Sequence, residues 1–165
     1  MIKKWLAIVL MLTIPAGASA LPEMSNSENL SDYELPAKPD KGCAMVYIVR
    51  PSEVDLFSRF YVYLDEKRGA NRIGFTTGRE HLYFQVTPGE HRIITQGEYN
   101  SKSIEFEVAG GDTLFIRQNV KLDVDKTNVD NMEILNPAEG TYAVSITTRG
   151  ILDKHPAGSV PGTCP

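Results

Sequence analysis

The sequence has no run of lysine or arginine, and 17 basic residues against 21 acidic ones give a formal net charge of −4. A protein that binds nucleic acid or an anionic lipid surface would need a basic patch against this balance. Cysteine, tryptophan and histidine are also scarce, at two, one and three residues. The 42% hydrophobic and 23% charged composition is nevertheless ordinary for one folded domain and excludes collagen, a coiled coil and wholesale disorder.

The motifs of common enzymes are absent as well. There is no G-x-S-x-G nucleophile elbow, and Gly110-Gly111 precedes a predicted strand rather than the helix that a phosphate-binding loop requires. His81 and His91 lie on predicted neighbouring strands, but a zinc site needs three or four ligands. The acids beside them, Glu80 and Glu90, point to the opposite strand face. We therefore predict no catalytic residues, no metal and no cofactor.

The first twenty residues have the pattern of a signal peptide. Lys3 and Lys4 precede an apolar run over residues 5–14, and Ala18-Ser19-Ala20 is a small-residue cleavage site. The apolar run is too short to span a bilayer, which needs about 20 residues. We expect cleavage after Ala20 and a periplasmic or secreted protein with no membrane span. The mature chain would carry 15 basic and 21 acidic residues, a net charge of −6.

The two cysteines, Cys43 and Cys164, lie at opposite ends of the predicted domain. In an exported protein two cysteines predict one disulfide, and a reactive pair is disfavoured because there is no C-x-x-C motif. This bond would close a loop of 121 residues, for which the loop-entropy model gives about 5 kcal/mol as an upper figure. It would also hold the Pro/Gly-rich tail at residues 155–165.

Residues 21–41 are polar and proline-containing, which predicts a flexible N-terminal arm. Residues 42–165 form one predicted domain, in which about seven short extended segments are separated by turn residues. The first, residues 44–50, is apolar on both faces, as in a buried strand, and most of the others show period-two alternation. This pattern favours a mainly β fold, an antiparallel sandwich or open barrel. In the long segment from Leu114 to Val124, Gln118 interrupts the apolar face and must find partners or mark a bulge.

The C-terminal part is ambiguous between helix and strand. Asn136, Pro137 and Glu139 have the pattern of a helix start with a capping box, which predicts a short helix over residues 137–149. Tyr142, Val144 and Ile146 also alternate as in a strand, and Gly140 is a poor helix former. The capping pattern makes the helix the preferred interpretation.

Three stretches resemble one family of small bacterial envelope domains. An opening glycine and a strand ending in Tyr-x-x-Arg-Pro occupy residues 41–51, a Pro-Gly-x-His turn lies at residues 87–91, and Gly110-Gly111 precedes a later strand. These motifs are similar to those of the domain of unknown function family 2846. The resemblance implies a small, sandwich-like secreted domain and transfers no catalytic residue. Arg50 of the Tyr-x-x-Arg element could be structural, stacking on an aromatic ring or capping carbonyl groups.

An acidic cluster follows the long strand. Asp123, Asp125, Asn128 and Asp130 lack both the glycine and the terminal glutamate of a calcium loop, so we interpret them as a solvated loop.

One group of side chains could form a recognition surface. They lie opposite the clearest apolar stripes and combine aromatic rings with basic groups, a combination suited to a peptide, glycan or protein ligand. The candidates are Tyr61, Tyr63, His81, Tyr83 and Arg117, with Phe115 beside them. The alternative is that the helix or the arm covers this face.

Three functions remain compatible with these residues. The preferred hypothesis is a non-catalytic envelope module that binds a protein or a cell-wall glycan or peptide through a sheet face or edge. The second is an inhibitor of an envelope-degrading enzyme, acting through a protruding, fixed loop at residues 66–71 or 97–101. The third is a small metal-dependent hydrolase built around His81 and His91, which would need both rings in a concave pocket.

Overall fold

The computed structural model describes residues 30, 32–124, 126–155 and 160–164. The predicted signal peptide lies outside these residues. No helix within them is long and apolar enough to cross a membrane. The strands are β1 Ala44–Arg50, β2 Phe60–Leu64, β3 Arg72–Thr76, β4 Glu80–Val86, β5 Gly89–Gln96, β6 Ser101–Val108, β7 Thr113–Asp123, β8 Lys126–Leu135, β9 Thr148–Arg149 and β10 Ile151–Leu152, with one α-helix, α1, Pro137–Ser145.

The strands form two five-stranded sheets, which confirms the mainly β, sandwich-like prediction. Sheet A has the order β8-β7-β1-β4-β9, and sheet B has the order β10-β3-β2-β5-β6. Most neighbours are antiparallel, but β1 pairs with β7, and β4 with β9, in parallel. The described residues contain three strands more than the seven predicted: β8 and the two-residue strands β9 and β10.

β1 is the central strand of sheet A and is buried on both faces, as its continuous apolar sequence predicts. Ala44, Val46 and Ile48 face sheet B in the main core. Met45, Tyr47 and Val49 form a second core cluster on the outer face. This second layer exists because α1 packs on β1 and β7.

Gln118 finds partners inside the sandwich. Its Oε1 accepts a hydrogen bond from Thr76 at 2.7 Å, and its Nε2 donates one to Thr95 at 2.8 Å. The side chain therefore links the two sheets. The β7–β8 register shifts between Asn119 and Val120, one residue further on.

The helix prediction is confirmed, although α1 ends four residues earlier than predicted. The Asn136 side chain accepts from the Glu139 N–H at 3.0 Å, and the Glu139 side chain accepts from the Asn136 N–H at 3.4 Å. This is the reciprocal capping box. The chain then turns, and Thr148–Arg149 pairs with β4 as β9.

The Cys43–Cys164 disulfide is present, as the cysteine count predicts. It holds the C-terminal segment against β4, where the Cys164 N–H donates to the Gln85 carbonyl at 3.2 Å. Val160 is 4% exposed and belongs to the main core. Residues 160–164 are therefore part of the packed domain.

The described part of the predicted arm lies on the outer face of sheet A. Leu35 and Ala37 pack against the second core cluster. The Tyr47 hydroxyl donates to the Ala37 carbonyl at 2.6 Å and accepts from the Ala37 N–H at 3.0 Å. These contacts order the arm next to β1.

Candidate functional site

The fold divides the predicted recognition surface between two outer faces. His81 and Tyr83 lie on β4 and Arg117 on β7, in sheet A, whereas Tyr61 and Tyr63 lie on β2, in sheet B. The two sheets present these side chains on opposite sides of the sandwich. The five residues therefore do not form one surface.

On sheet A most of the candidate side chains lie on a covered face, which was the alternative to a recognition surface. His81 is 5% exposed and Phe115 is 2% exposed. The His81 ring stacks on Tyr83 with centroids 6.2 Å apart, and Thr147 Oγ1 lies 2.9 Å from its Nδ1. Burial, and secondarily the charge of Arg149, lower the pKa of His81 below its usual 6.5. This histidine is packed in the interior.

Arg117 is engaged within its own sheet. Its guanidinium forms an ion pair with Glu133 on the neighbouring strand β8. The pKa of Glu133 is lowered by a hydrogen bond from Asn119 and by Arg117. Arg117 is thus part of a cross-strand network.

The outer face of sheet B carries partly exposed aromatic rings under arginine side chains. Tyr61 and Phe75 meet edge to face with centroids 5.9 Å apart. The Arg59 guanidinium lies 4.8 Å above Phe75, and that of Arg72 lies 5.3 Å above Tyr61. Such cation–π pairs position the two guanidinium groups over the rings. The Nε of Arg72 also forms an ion pair with Asp153. Tyr63 follows Tyr61 on β2, and its hydroxyl donates to the Gln96 side chain on β5 at 3.2 Å.

A hollow of about 490 Å³ on the same side carries an excess of basic groups. Four basic side chains and one acidic side chain line it, and the acid, Glu66, pairs with Arg68 at 2.8 Å. Lys67 Nζ donates to Ser101 at 2.9 Å across the hollow. We call this the basic hollow; its lining is Glu66, Lys67, Arg68, Arg92, Ile94, Ser101, Lys102 and Ser103.

The basic hollow and the stacked rings together are called the aromatic–basic face below. Sequence reading missed the hollow because Lys67, Arg92 and Lys102 come from the β2–β3 connection, β5 and β6. No run of basic residues exists in the chain, yet strand pairing assembles a basic patch. The only available signal was that the segments containing Arg92 and Lys102 are predicted neighbouring strands.

The two histidines considered for a metal centre lie in different sheets. His91 is on β5 in sheet B, with Nδ1 3.2 Å from both carboxylate oxygens of Asp65 and Nε2 2.8 Å from the Thr87 carbonyl. Within the described ranges, no three His, Cys, Asp or Glu side chains are grouped as a metal site requires. The structure does not bring the two rings into one pocket.

The acidic cluster is not the solvated loop that we predicted. Asn128 and Asp130 belong to β8, and Lys121 on β7 pairs with Asp130 at 3.0 Å. Asp125 lies outside the described residues. The segment was misread because β8 has no clear alternation to distinguish it from a polar loop.

Arg50 has both structural roles suggested for it. It is fully buried, and its guanidinium stacks 4.3 Å from the Phe60 ring centroid. Its nitrogens donate to the carbonyls of Ser58, Asp55 and Val54 at 2.7, 2.7 and 2.9 Å. Burial lowers the pKa of Arg50 to about 10. Arg50 therefore fixes the connection between β1 and β2.

Comparison with other proteins agrees with the motifs of the opening strand. A Haemophilus influenzae protein described as uncharacterized is 27% identical over 139 residues, which cover 84% of this chain and 80% of the relative. Residues 40–131 match the model of one family, and this match spans more than half of the 165 residues. The chain therefore belongs to the family described as "Protein of unknown function (DUF2846)".

Proposed function

We propose that this protein is a non-catalytic module of the bacterial envelope that binds a cell-wall component through the aromatic–basic face. The proposal includes export, cleavage after Ala20, and a periplasmic or secreted location; the disulfide is compatible with an oxidising, extracytoplasmic compartment. The observation that carries it is the gathering of basic side chains from three segments beside partly exposed rings, in a chain of net charge −4.

An anionic saccharide is the ligand chemistry that this face fits best. Flat aromatic rings such as Tyr61 and Phe75 offer apolar area to the faces of sugar rings. The excess of basic groups in the hollow attracts carboxylate or other anionic substituents, and the ammonium groups of Lys67 and Lys102 can form charge-assisted hydrogen bonds with them. Ser101 and Ser103 add hydroxyl partners.

The test compares two soluble polymers that share a backbone, dextran sulfate and neutral dextran, together with isolated cell-wall sacculi. The mature protein is expected to bind dextran sulfate and sacculi but not dextran, with affinity decreasing as salt increases. Removing two ligand-facing charges with K67S/K102S should weaken dextran sulfate binding about tenfold.

The matched control removes the same charge from the exposed arm, in K38S/K41S. It should retain the affinity of the unsubstituted protein. Equal binding to dextran and dextran sulfate, or equal losses in the two double variants, would show that this face is not the site. The same conclusion follows if sacculi do not retain the protein.

A further inference from the structure

One end of the sandwich carries apolar side chains that protrude into solvent. The connections β1–β2, β5–β6 and β7–β8 meet there, joined by a hydrogen bond from Thr127 to Asp55 and by one from the Asn100 side chain to the Val129 carbonyl at 2.7 Å. Phe57 is 89% exposed and Val124 is 87% exposed. We call this the loop end; its apolar members are Val54, Leu56, Phe57, Tyr99, Leu122 and Val124.

Phe57 is held in place by a loop whose backbone groups are bonded inward. Arg50 binds three of the loop carbonyls from beneath. The Ser58 N–H donates to the Asp55 carboxylate at 3.1 Å, and the Gly78 N–H donates to the Leu56 carbonyl at 3.2 Å. A loop fixed in this way loses little conformational entropy on binding.

Two residues of the loop end have unfavourable backbone conformations. Asp55 has φ 49° and Val124 has φ 44°, in the left-handed region. This region is especially costly for a β-branched residue such as valine. Strain of this kind persists where surrounding structure imposes it, and it clusters at functional positions. The protruding Val124 is therefore built into the fold at a cost, whereas aspartate tolerates this conformation more readily.

The charge of the loop end distinguishes between possible partners. The β3–β4 connection, residues 77–79, lies at the same end, because the Gly78 N–H donates to the Leu56 carbonyl. Together with residues 51–59, 97–100 and 121–127 it contains four basic and five acidic residues. There is no positive excess to attract an anionic lipid surface. A protruding ring without an excess of positive charge around it instead fits a concave apolar pocket in a protein, the arrangement of an interface hot spot.

We propose that the loop end docks into an apolar cleft of a partner protein, with Phe57 as the central anchor. This function is separate from saccharide binding, because the apolar members of the loop end take no part in the aromatic–basic face. Arg59, which stacks on Phe75, is the residue of segment 51–59 that lies beside that face. An inhibitor of an enzyme would also need a fixed, protruding loop. The loop with these properties is the β1–β2 connection, whereas the sequence suggested residues 66–71 or 97–101. The latter segment includes Tyr99 of the loop end.

The experiment places a photocrosslinking phenylalanine analogue at position 57 of the full chain in living cells. The control places it at Ile151, an apolar side chain that is 56% exposed and outside the loop end. A protein adduct specific to position 57 is expected. That partner, once purified, should bind F57S at least about 30-fold more weakly than the unsubstituted protein. Its affinity for I151S should be unchanged.

The proposal is overturned if position 57 yields no protein adduct, or only lipid or a second copy of this chain. It is also overturned if the purified partner binds F57S and the unsubstituted protein equally. Retention by phosphatidylethanolamine–phosphatidylglycerol vesicles that F57S abolishes would assign the loop end to lipid instead. Dextran sulfate binding of F57S should remain intact, so the two proposals fail or succeed separately.

Discussion

Arg50 is the largest fully buried side chain of the described residues, and it binds backbone carbonyls rather than a carboxylate. Replacing it in R50M keeps a long apolar stem against Phe60 but leaves three carbonyls without their donors. Each unsatisfied buried group costs about 1–3 kcal/mol. We expect R50M to lower the free energy of unfolding by about 3 kcal/mol, measured by urea denaturation.

Arg59 supplies the comparison for this prediction. Its guanidinium also stacks on a ring, that of Phe75, but the side chain is exposed. R59M should change the free energy of unfolding by less than about 1 kcal/mol. Similar effects of R50M and R59M would contradict the role of Arg50 as the residue that fixes the loop.

The buried His81 should make the free energy of unfolding depend on pH. Because burial lowers its pKa in the folded state, the unfolded chain takes up a proton as the pH falls below 6.5, while the folded chain does not. The free energy of unfolding should therefore decrease between pH 7.5 and the lower folded pKa. An asparagine at this position can keep a polar atom near Thr147 but does not titrate, so H81N should reduce this decrease in urea unfolding at pH 7.5 and 5.

Two acids titrate in a separate range and do not obscure this test. The pKa of Asp55, lowered by hydrogen bonds from Ser58 and Thr127, lies below its usual 3.8, and that of Glu133 lies below 4.5. The stability that these carboxylates contribute is lost only in more acidic solution. An identical decrease in H81N and the unsubstituted protein down to pH 5 would exclude His81 as its source.

At the scale of elements, replacing Gly140 in α1 by alanine should destabilise the protein, although helix propensity alone would favour the alanine. Alanine is intrinsically favoured over glycine in a helix by about 1 kcal/mol. A Cβ at this position, however, would lie 2.1 Å from Cγ of Phe115. Overpacking costs about 1–3 kcal/mol, so we expect G140A to destabilise the protein in thermal or urea unfolding.

The double variant G140A/F115A separates the two contributions. Alanine lacks Cγ and Cδ2, the two ring atoms that would lie 2.1 and 2.4 Å from the new methyl carbon, so G140A should be less harmful in the F115A background than alone. Equal costs in both backgrounds, or stabilisation by G140A, would show that the close approach to Phe115 does not determine the residue at this position.

This helix also shows how far local sequence can predict structure. The Asn136–Glu139 capping box is a local signal and correctly located the start of α1. Gly140 argued against a helix because glycine has a low helix propensity. The reason for a glycine here is the ring of Phe115, which comes from β7 and is distant in the sequence. β1 was predictable from its continuous apolar run, and β2 to β7 from the pattern within each segment. β8 was not predictable, since six of its ten residues are polar without a clear period.

At the scale of the whole molecule, sheet membership could not be read from the sequence. Alternation shows which side chains share a face of one strand, but it does not show which strands share a sheet. Tyr61 and His81 therefore seemed candidates for one surface, although β2 and β4 belong to different sheets. The basic hollow was missed for the same reason, since Lys67 and Lys102 meet only through the β2–β5–β6 order.

The disulfide connects the start of β1 with the end of the chain and should determine how strongly the C-terminal segment belongs to the core. It closes 121 residues, and its loss in C43S/C164S should lower the free energy of unfolding by about 2–5 kcal/mol in urea. A change below 1 kcal/mol would indicate that packing alone holds this segment.

Val160 tests whether the core and the disulfide act together. With the disulfide intact, V160A should cost about 2 kcal/mol because this side chain is 4% exposed in the main core. In the C43S/C164S background the segment can leave the core before the rest unfolds, so the same substitution should cost less than about 1 kcal/mol. Equal costs in the two backgrounds would mean that Val160 stays packed without the bond, and the disulfide would then stabilise the protein only by restricting the unfolded chain.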